Sequence, residues 1–237
     1  MLRVSEGIFR AFPAAVIGVV AFEGVRNEGE SAEILESLQP EEDETERRFA
    51  GAAVQDHPHI ACWREAYRRF GAKPKDHPSS IENLVRRAAR GERLRHVNRL
   101  VDLYNAVSLK HLVPVGGEDL DAIEGDVALT FATDQEPPVR LLGEPEARPP
   151  KPGEVIYRDR AGAICRRWNW KEADRTKLTE KTKDGFLVIE GLPPVDRARV
   201  ESALAELAAL VQKHCGGSVR TGIVHRENPA MVLREPA

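Results

Sequence analysis

Three polar side chains in one stretch have a spacing that suits chemistry. In VNRLVDLYNAVSLKHLVPVGGEDLD, residues 97–121, Asn98, Asp102 and Asn105 stand at i, i+4 and i+7. A helix here points two carboxamides and a carboxylate the same way. Val97, Leu100, Val101, Tyr104, Val107 and Ser108 fall on another face at helical spacing. The polar stripe is either a site wall or a solvated helix face. Pro114 ends the helix, and Gly116-Gly117 allows a sharp turn or a close backbone approach to a ligand.

A second stretch runs from Arg166-Arg167-Trp168-Asn169-Trp170 to Lys183. Two tryptophans alternating with polar residues beside two arginines can stack bases or an aminoacyl side chain while the guanidiniums hold phosphate. The same alternation also describes one face of a strand packed on the core. Thr176, Lys177, Thr179, Lys181, Thr182 and Lys183 add hydroxyls and ammoniums suited to phosphate or ribose. Glu190 ends the apolar run Phe186–Ile189, where a carboxylate is costly unless paired. Its partner is either a base of this segment or the ammonium or hydroxyl of a ligand.

Other chemistries lack their residues. His57 and His59 have no companion ligands nearby, and Cys62, Cys165 and Cys215 are scattered, so neither a metal nor a disulfide framework is expected. Phosphate-loop, dinucleotide-glycine and nucleophile-elbow motifs are missing, and no cofactor is expected. No apolar run approaches the ~20 residues of a membrane span, and the N-terminus does not read as a secretory signal, which together predict a cytoplasmic protein. The net charge of −3 conceals a segregation: residues 27–46 hold nine acids and no base, whereas residues 158–183 hold nine bases and four acids. The basic segment can meet phosphates while the acidic one faces away.

The elements that must position these residues follow from pattern. AAVIGVVAFE, residues 14–23, reads as a strand buried on both faces. Residues 31–38 and 42–53 read as two helices separated by Pro40, and residues 60–70 as a helix led in by His57-Pro58-His59. Ser79 and Glu82 form a capping box for a helix over 81–90, closed by Gly91. Lys73, Lys75, Arg86, Arg87, Arg90 and Arg93 make that region basic, as a phosphate rim or as ordinary solvated charge. Strands are predicted over 127–132, 154–157, 163–168, 185–189 and 218–225, a helix over 197–214 capped by Asp196, and a loose tail from Arg226 to Ala237. At 237 residues and 41% apolar, one domain spanning 1–237 is expected.

Taken together, N-x-x-V-D-x-x-N at 98–105, Pro114, E-D-L-D-A-I-E-G-D at 118–126, T-E-K-T-K at 179–183 and L-V-I-E at 187–190 resemble, in order and spacing, the editing domain of the phenylalanyl-tRNA synthetase β subunit. The resemblance covers residues 76–191. Closer still is the freestanding form of that domain, in which HPSSIENL, YNAVSLK, PVGGEDL and RRWNW recur. It implies an α+β fold with a central, mostly antiparallel sheet flanked by helices, one pocket between 98–119 and 166–190, and trans-editing of mischarged aminoacyl-tRNA. Asn105, Gly116, Gly117 and Glu190 would then do the chemistry; Asn98, Asp102, Tyr104, Ser108, Trp168, Asn169 and Trp170 would bind the aminoacyl group; and Arg166, Arg167, Thr176, Lys177, Thr179, Lys181, Thr182 and Lys183 would hold the tRNA. A non-catalytic tRNA- or RNA-binding module is the alternative, and an amino-acid sensor a third reading. Two residues depart from the synthetase motif. Gly116 stands where it has His, and Tyr104 where it has Thr, which removes the motif's evident base and leaves positioning, the terminal ribose hydroxyl or a residue such as His111 to assist hydrolysis.

Overall fold

The computed structural model describes residues 1–234. In chain order its elements are β1 (Leu2–Val4), α1 (Glu6–Ala11), β2 (Val16–Glu23), α2 (Ala32–Phe49), α3 (Pro58–Arg69), α4 (Ser80–Ala88), α5 (Arg99–His111), β3 (Val115–Asp119), β4 (Val127–Phe131), β5 (Val139–Arg140), β6 (Ala147–Arg148), β7 (Val155–Asp159), β8 (Gly162–Arg166), β9 (Lys171–Glu172), β10 (Gly185–Gly191), α6 (Arg197–Cys215), β11 (Ser218–Val224) and β12 (Ala230–Met231).

The fold is α+β and mostly antiparallel, with a four-stranded sheet, β11-β2-β10-β3, a six-stranded one, β12-β1-β4-β7-β8-β9, and a two-stranded ribbon, β5-β6. Among the described residues only β1 and β4 pair in parallel. β2 and β10 are apolar over Val16–Phe22 and Phe186–Ile189 because they lie inside the four-stranded sheet and are covered on both faces. Alternation decides which side chain goes where. Val20, Phe22, Leu187 and Ile189 pack with Val200, Leu204, Leu207 and Val211 of α6. Val19, Ala21, Phe186 and Val188 face the other core, with Trp63, Tyr67, Tyr157 and Trp168. Phe186, Val188 and Glu190 therefore share the face turned to the six-stranded sheet.

The helix starts are built by their cap residues. Asn98 Oδ1 accepts from Val101 N–H at 3.1 Å, Ser79 Oγ from Glu82 N–H at 3.4 Å, and Asp196 Oδ1 from Arg199 N–H at 2.9 Å. His57 Nδ1 accepts from His59 N–H at 3.2 Å ahead of Pro58, so this pair leads in a helix. The Glu82 carboxylate does not complete a capping box: it is buried and pairs with Arg64 and Arg86, each at 2.6 Å.

Four stretches differ from the sequence expectation, the first being that Gly116-Gly117 lie within strand β3, paired with β10, and not in a turn. α2 runs unbroken through Pro40, because Ile34, Leu38, Thr45 and Phe49 bury one continuous stripe and Glu42 accepts from Leu94 N–H at 2.6 Å; that packing outweighs the backbone bond Pro40 removes. β1 and α1 are short elements that the sequence pattern did not reveal. The expected tail is tied down, since β12 pairs with β1 and Leu233 is fully buried; residues 235–237 lie outside the described ones.

Candidate functional site

A cavity of about 650 Å3 lies between the two sheets. Phe186, Val188 and Glu190 of β10 and Gly116 and Gly117 of β3 form one wall, and Tyr157, Ile164 and the turn Trp168–Trp170 form the opposite one. α4 and α5 close a side. The two stretches singled out in the sequence thus face each other across one space.

Glu190 is 2% exposed and fully engaged. Tyr157 donates to its Oε1 at 2.6 Å and Asn169 Nδ2 to its Oε2 at 2.7 Å, while Tyr67 donates to Asn169 Oδ1 at 2.8 Å. Among the described residues no base pairs with it. Burial pushes its pKa up to about 7 against the opposing pull of Tyr157, Asn169 and Trp168, so near neutral pH both protonation states are populated. Asn169 reaches Glu190 because Arg167 and Trp168 adopt left-handed backbone angles, φ 49° and 66°, that tighten the turn. Such angles are costly for non-glycine residues. Trp168 N–H bonds Val155 O at 2.7 Å, and the Trp168 ring packs edge-on against Phe12 and Trp63 at 5.0 and 5.1 Å. Trp168 is thus both core and cavity wall, whereas Trp170 is half-buried beneath the Arg167 guanidinium at 4.3 Å.

Of the helical stripe, only Asn105 presents a free side chain to the cavity, with no partner among the described residues. Asn98 lines the edge but is fully buried and spent: besides capping α5 it donates from Nδ2 to Leu178 O at 3.2 Å. Asp102 lies outside the cavity wall, bound to His96 Nδ1 at 2.5 Å, and Ser108 lines the cavity while donating to Val113 O at 2.6 Å. The Tyr104 hydroxyl reaches the cavity unpartnered, with a pKa that burial raises well above the usual phenol. His111 is on the far side of α5, 2.8 Å from Glu206.

The Gly-Gly pair splits in role. Glu190 N–H bonds Pro114 O and Leu120 N–H bonds Asp184 O at the two ends of the β3–β10 ladder. Alternation between them places Gly116, opposite Val188, in a hydrogen-bonded pair and Gly117, opposite Leu187, in a non-bonded one. Gly116 N–H is therefore spent in the sheet, and Gly117 N–H points away from β10 along the edge. A Cβ on Gly116 would meet no atom within 4 Å, whereas one on Gly117 would strike Leu187 Cδ2 at 2.3 Å.

The expected phosphate cluster is largely structural. Arg166 is 5% exposed and forked onto Glu154 through two bonds of 2.8 Å, which withdraws it from any tRNA. Thr176 is fully buried. Thr182 Oγ1 accepts from Thr179 N–H and donates to Asp119 Oδ2 at 2.6 Å, so these hydroxyls build the 179–182 turn. Lys177 lines the cavity paired with Asp174 at 2.6 Å. Arg167 is buried over Trp170, and of the named bases only Lys181 and Lys183 are exposed.

Glu118, Glu172, Tyr157 and Cys165 also line the cavity and were not singled out in the sequence. Glu172 had a signal, since it continues the period of two from Trp168 and Trp170; Glu118 and Tyr157 sit in ordinary strand alternation. Burial, and then the neighbouring Glu172, raise the Glu118 pKa well above the usual range, and burial likewise raises that of Glu172. Thr176 opposes the rise at Glu118, while Glu118 Oε2 and Thr176 Oγ1 are both buried without a hydrogen-bond partner among the described residues. Burial and these carboxyls hold the Cys165 thiol protonated, which argues against a thiolate nucleophile. Among the described residues no three potential ligands converge as a metal site, and no helix is long and apolar enough to cross a membrane.

These features define an α+β protein with an acid-lined cavity between two sheets. The sequence matches the B3/4 domain family over residues 62–216, well over half of the chain, and the chain belongs to that family. Its motifs make it a homologue of the B3/4 editing-type domain of the phenylalanyl-tRNA synthetase β subunit. A solved N-terminal fragment of the phenylalanyl-tRNA synthetase β subunit from Pyrococcus horikoshii is similar at 15% identity and a TM-score of 0.48, over 93% of this chain and 50% of that one, so the chain spans about half the length of that fragment. No curated protein matches the sequence.

Proposed function

We propose that the protein is a trans-acting deacylase that hydrolyses the ester of mischarged aminoacyl-tRNA, with the aminoacyl group in the cavity between the two sheets. The observation that carries this reading is Glu190: a buried carboxyl at a cavity wall, held by Tyr157 and Asn169 and without a cationic partner. It is placed to accept from the α-ammonium or a side-chain hydroxyl. Glu118 and Glu172 make the same cavity acidic. An esterified amino acid brings an ammonium, which these carboxyls can receive as they give up their protons.

In this mechanism the ester carbonyl lies against β3. Gly117 N–H, left unused by the ladder, and the Asn105 amide donate to the oxygen on which charge develops. Water adds to the carbonyl carbon, and the ribose oxygen leaves with a proton. With Gly116 in place of an imidazole, hydrolysis leans on positioning and on the neighbouring ribose hydroxyl. Exposed Lys181 and Lys183 contact tRNA phosphates. Incubation with a panel of mischarged tRNAs, followed by ester loss, tests this: at least one ester should disappear faster than in buffer, and more slowly with Glu190→Gln. Salt-dependent tRNA binding without loss of any ester would favour the non-catalytic module instead.

A further inference from the structure

Behind the Trp168–Trp170 turn, a second cavity of about 190 Å3 is bounded by residues 70–73, Asp76, His77, Lys151, Glu154 and Arg167. Arg167 is the unexplained group in it. Its side chain is 9% exposed, one guanidinium nitrogen is 3.9 Å from Glu154, and Nη1 has no hydrogen-bond partner. A guanidinium keeps its proton, so a buried N–H without an acceptor is costly. Glu154 cannot supply the acceptor. Its Oε1 already receives Arg166 Nε and Arg167 N–H, and its Oε2 receives Arg166 Nη2 and Lys151 N–H, which fill the four sites a carboxylate offers. Lys73 and Lys151 stand exposed at the rim with no carboxylate partner among the described residues. His77 adds a buried Nδ1 that is also unpartnered. Against these cations only Asp76 is uncommitted.

We infer that this cavity binds a single phosphate group, received by the Arg167 guanidinium and the Lys73 and Lys151 ammoniums. The space admits a small polyatomic anion and excludes a nucleotide. A planar fork flanked by two mobile ammoniums suits a tetrahedral anion with several acceptor oxygens. The field is consistent with this: burial, then Arg167, lower the His77 pKa, so the pocket resists a further cation. The phosphate is either a free anion or one phosphate of a bound tRNA, and the two arms below separate these sources.

The first arm titrates inorganic phosphate into the whole protein without RNA, following 31P line width and the His77 imidazole signals. Saturable broadening and a rise in the His77 pKa are expected. Each of Lys73→Ala and Lys151→Ala, which remove exposed side chains and should leave melting unchanged, should weaken binding at least about threefold, and Arg167→Lys about tenfold. Lys213→Ala, an equal charge loss outside the pocket, should change nothing. No saturable effect on the wild type, or equal effects in all variants, overturns the site. The second arm measures tRNA affinity against salt. If the phosphate belongs to tRNA, Lys73→Ala and Lys151→Ala lower the log–log slope by about 0.7 to 0.9 and inorganic phosphate competes; an unchanged slope assigns the pocket to a free anion. Since the first arm involves no tRNA, its failure is independent of the deacylase reading.

Discussion

Replacing Glu190 by Gln should change how stability depends on pH more than it changes stability at any one pH. In the unfolded chain this carboxyl titrates near 4.5, and in the folded protein burial raises it to about 7. Below the lower value both states are protonated and the buried acid carries no charge penalty. Between 4.5 and about 7 the unfolded state loses its proton first, so the unfolded state binds fewer protons and stability falls as pH rises; above about 7 the loss is complete. At about 1.4 kcal/mol per pH unit, the gap corresponds to roughly 3 kcal/mol. For a chain of this size that is a relative shift of about 6 to 12 °C in Tm. Glu190→Gln removes this slope. It also sets the new amide against Asn169 Nδ2, a pH-independent loss of about 1 kcal/mol, so the difference between curves and not their offset is diagnostic. Thermal melts of both proteins from pH 4.5 to 8.5 should show the variant slightly less stable at the acid end, cross as pH rises, and favour the variant at the alkaline end. Burial raises the Glu190 pKa and the groups that oppose it are Tyr157, Asn169 and Trp168, none of them a carboxylate, so Glu118 and Glu172 contribute equally to both curves. Parallel curves would refute the raised pKa, and with it the reading of Glu190 as a hydrogen-bonded buried acid that lacks a cation.

Two further outcomes follow from the geometry. Gly116→Ala places a methyl in open cavity and should slow deacylation while leaving Tm unchanged, whereas Gly117→Ala drives Cβ into Leu187 and Phe186 O and should cost about 1 to 3 kcal/mol of stability; a Gly116→Ala protein that melts low, or deacylates at the full rate, contradicts this placement. Arg166→Ala leaves buried Glu154 without its forked partner and should cost about 3 to 5 kcal/mol in chemical denaturation, while Lys181→Glu with Lys183→Glu should leave the fold intact and flatten the salt dependence of tRNA binding by about 0.7 to 0.9 per lost contact.

What the sequence made legible was whatever a short-range pattern controls. The 3.6-residue period of α5, the capping serine of α4 and the continuous apolar runs of β2 and β10 each follow from local propensity and the face buried. Pro40 misled because a proline is a local signal, and α2 answers to a longer one: a stripe from Ile34 to Phe49 packed along its whole length. The strand β1 was illegible because three residues carry no period, and their pairing with β4 and β12 is set by chain segments more than a hundred residues away.

The site divides along the same line. Composition marked residues 166–183 as basic, but charge in sequence does not say which charges are already neutralised in space. Glu154, outside the basic segment, takes Arg166 out of solution and in doing so uses up the acceptors that Arg167 would need. Asn98 and Asp102 occupy the same helical stripe as Asn105, yet backbone groups and His96 consume them at the start of α5, where unpaired N–H groups are concentrated. One turn farther on, the helix ladder satisfies the backbone and leaves the side chain free. Asn105 is thus open to a ligand for the same reason that Asn98 is not, and position relative to the helix start, more than residue type, separates them.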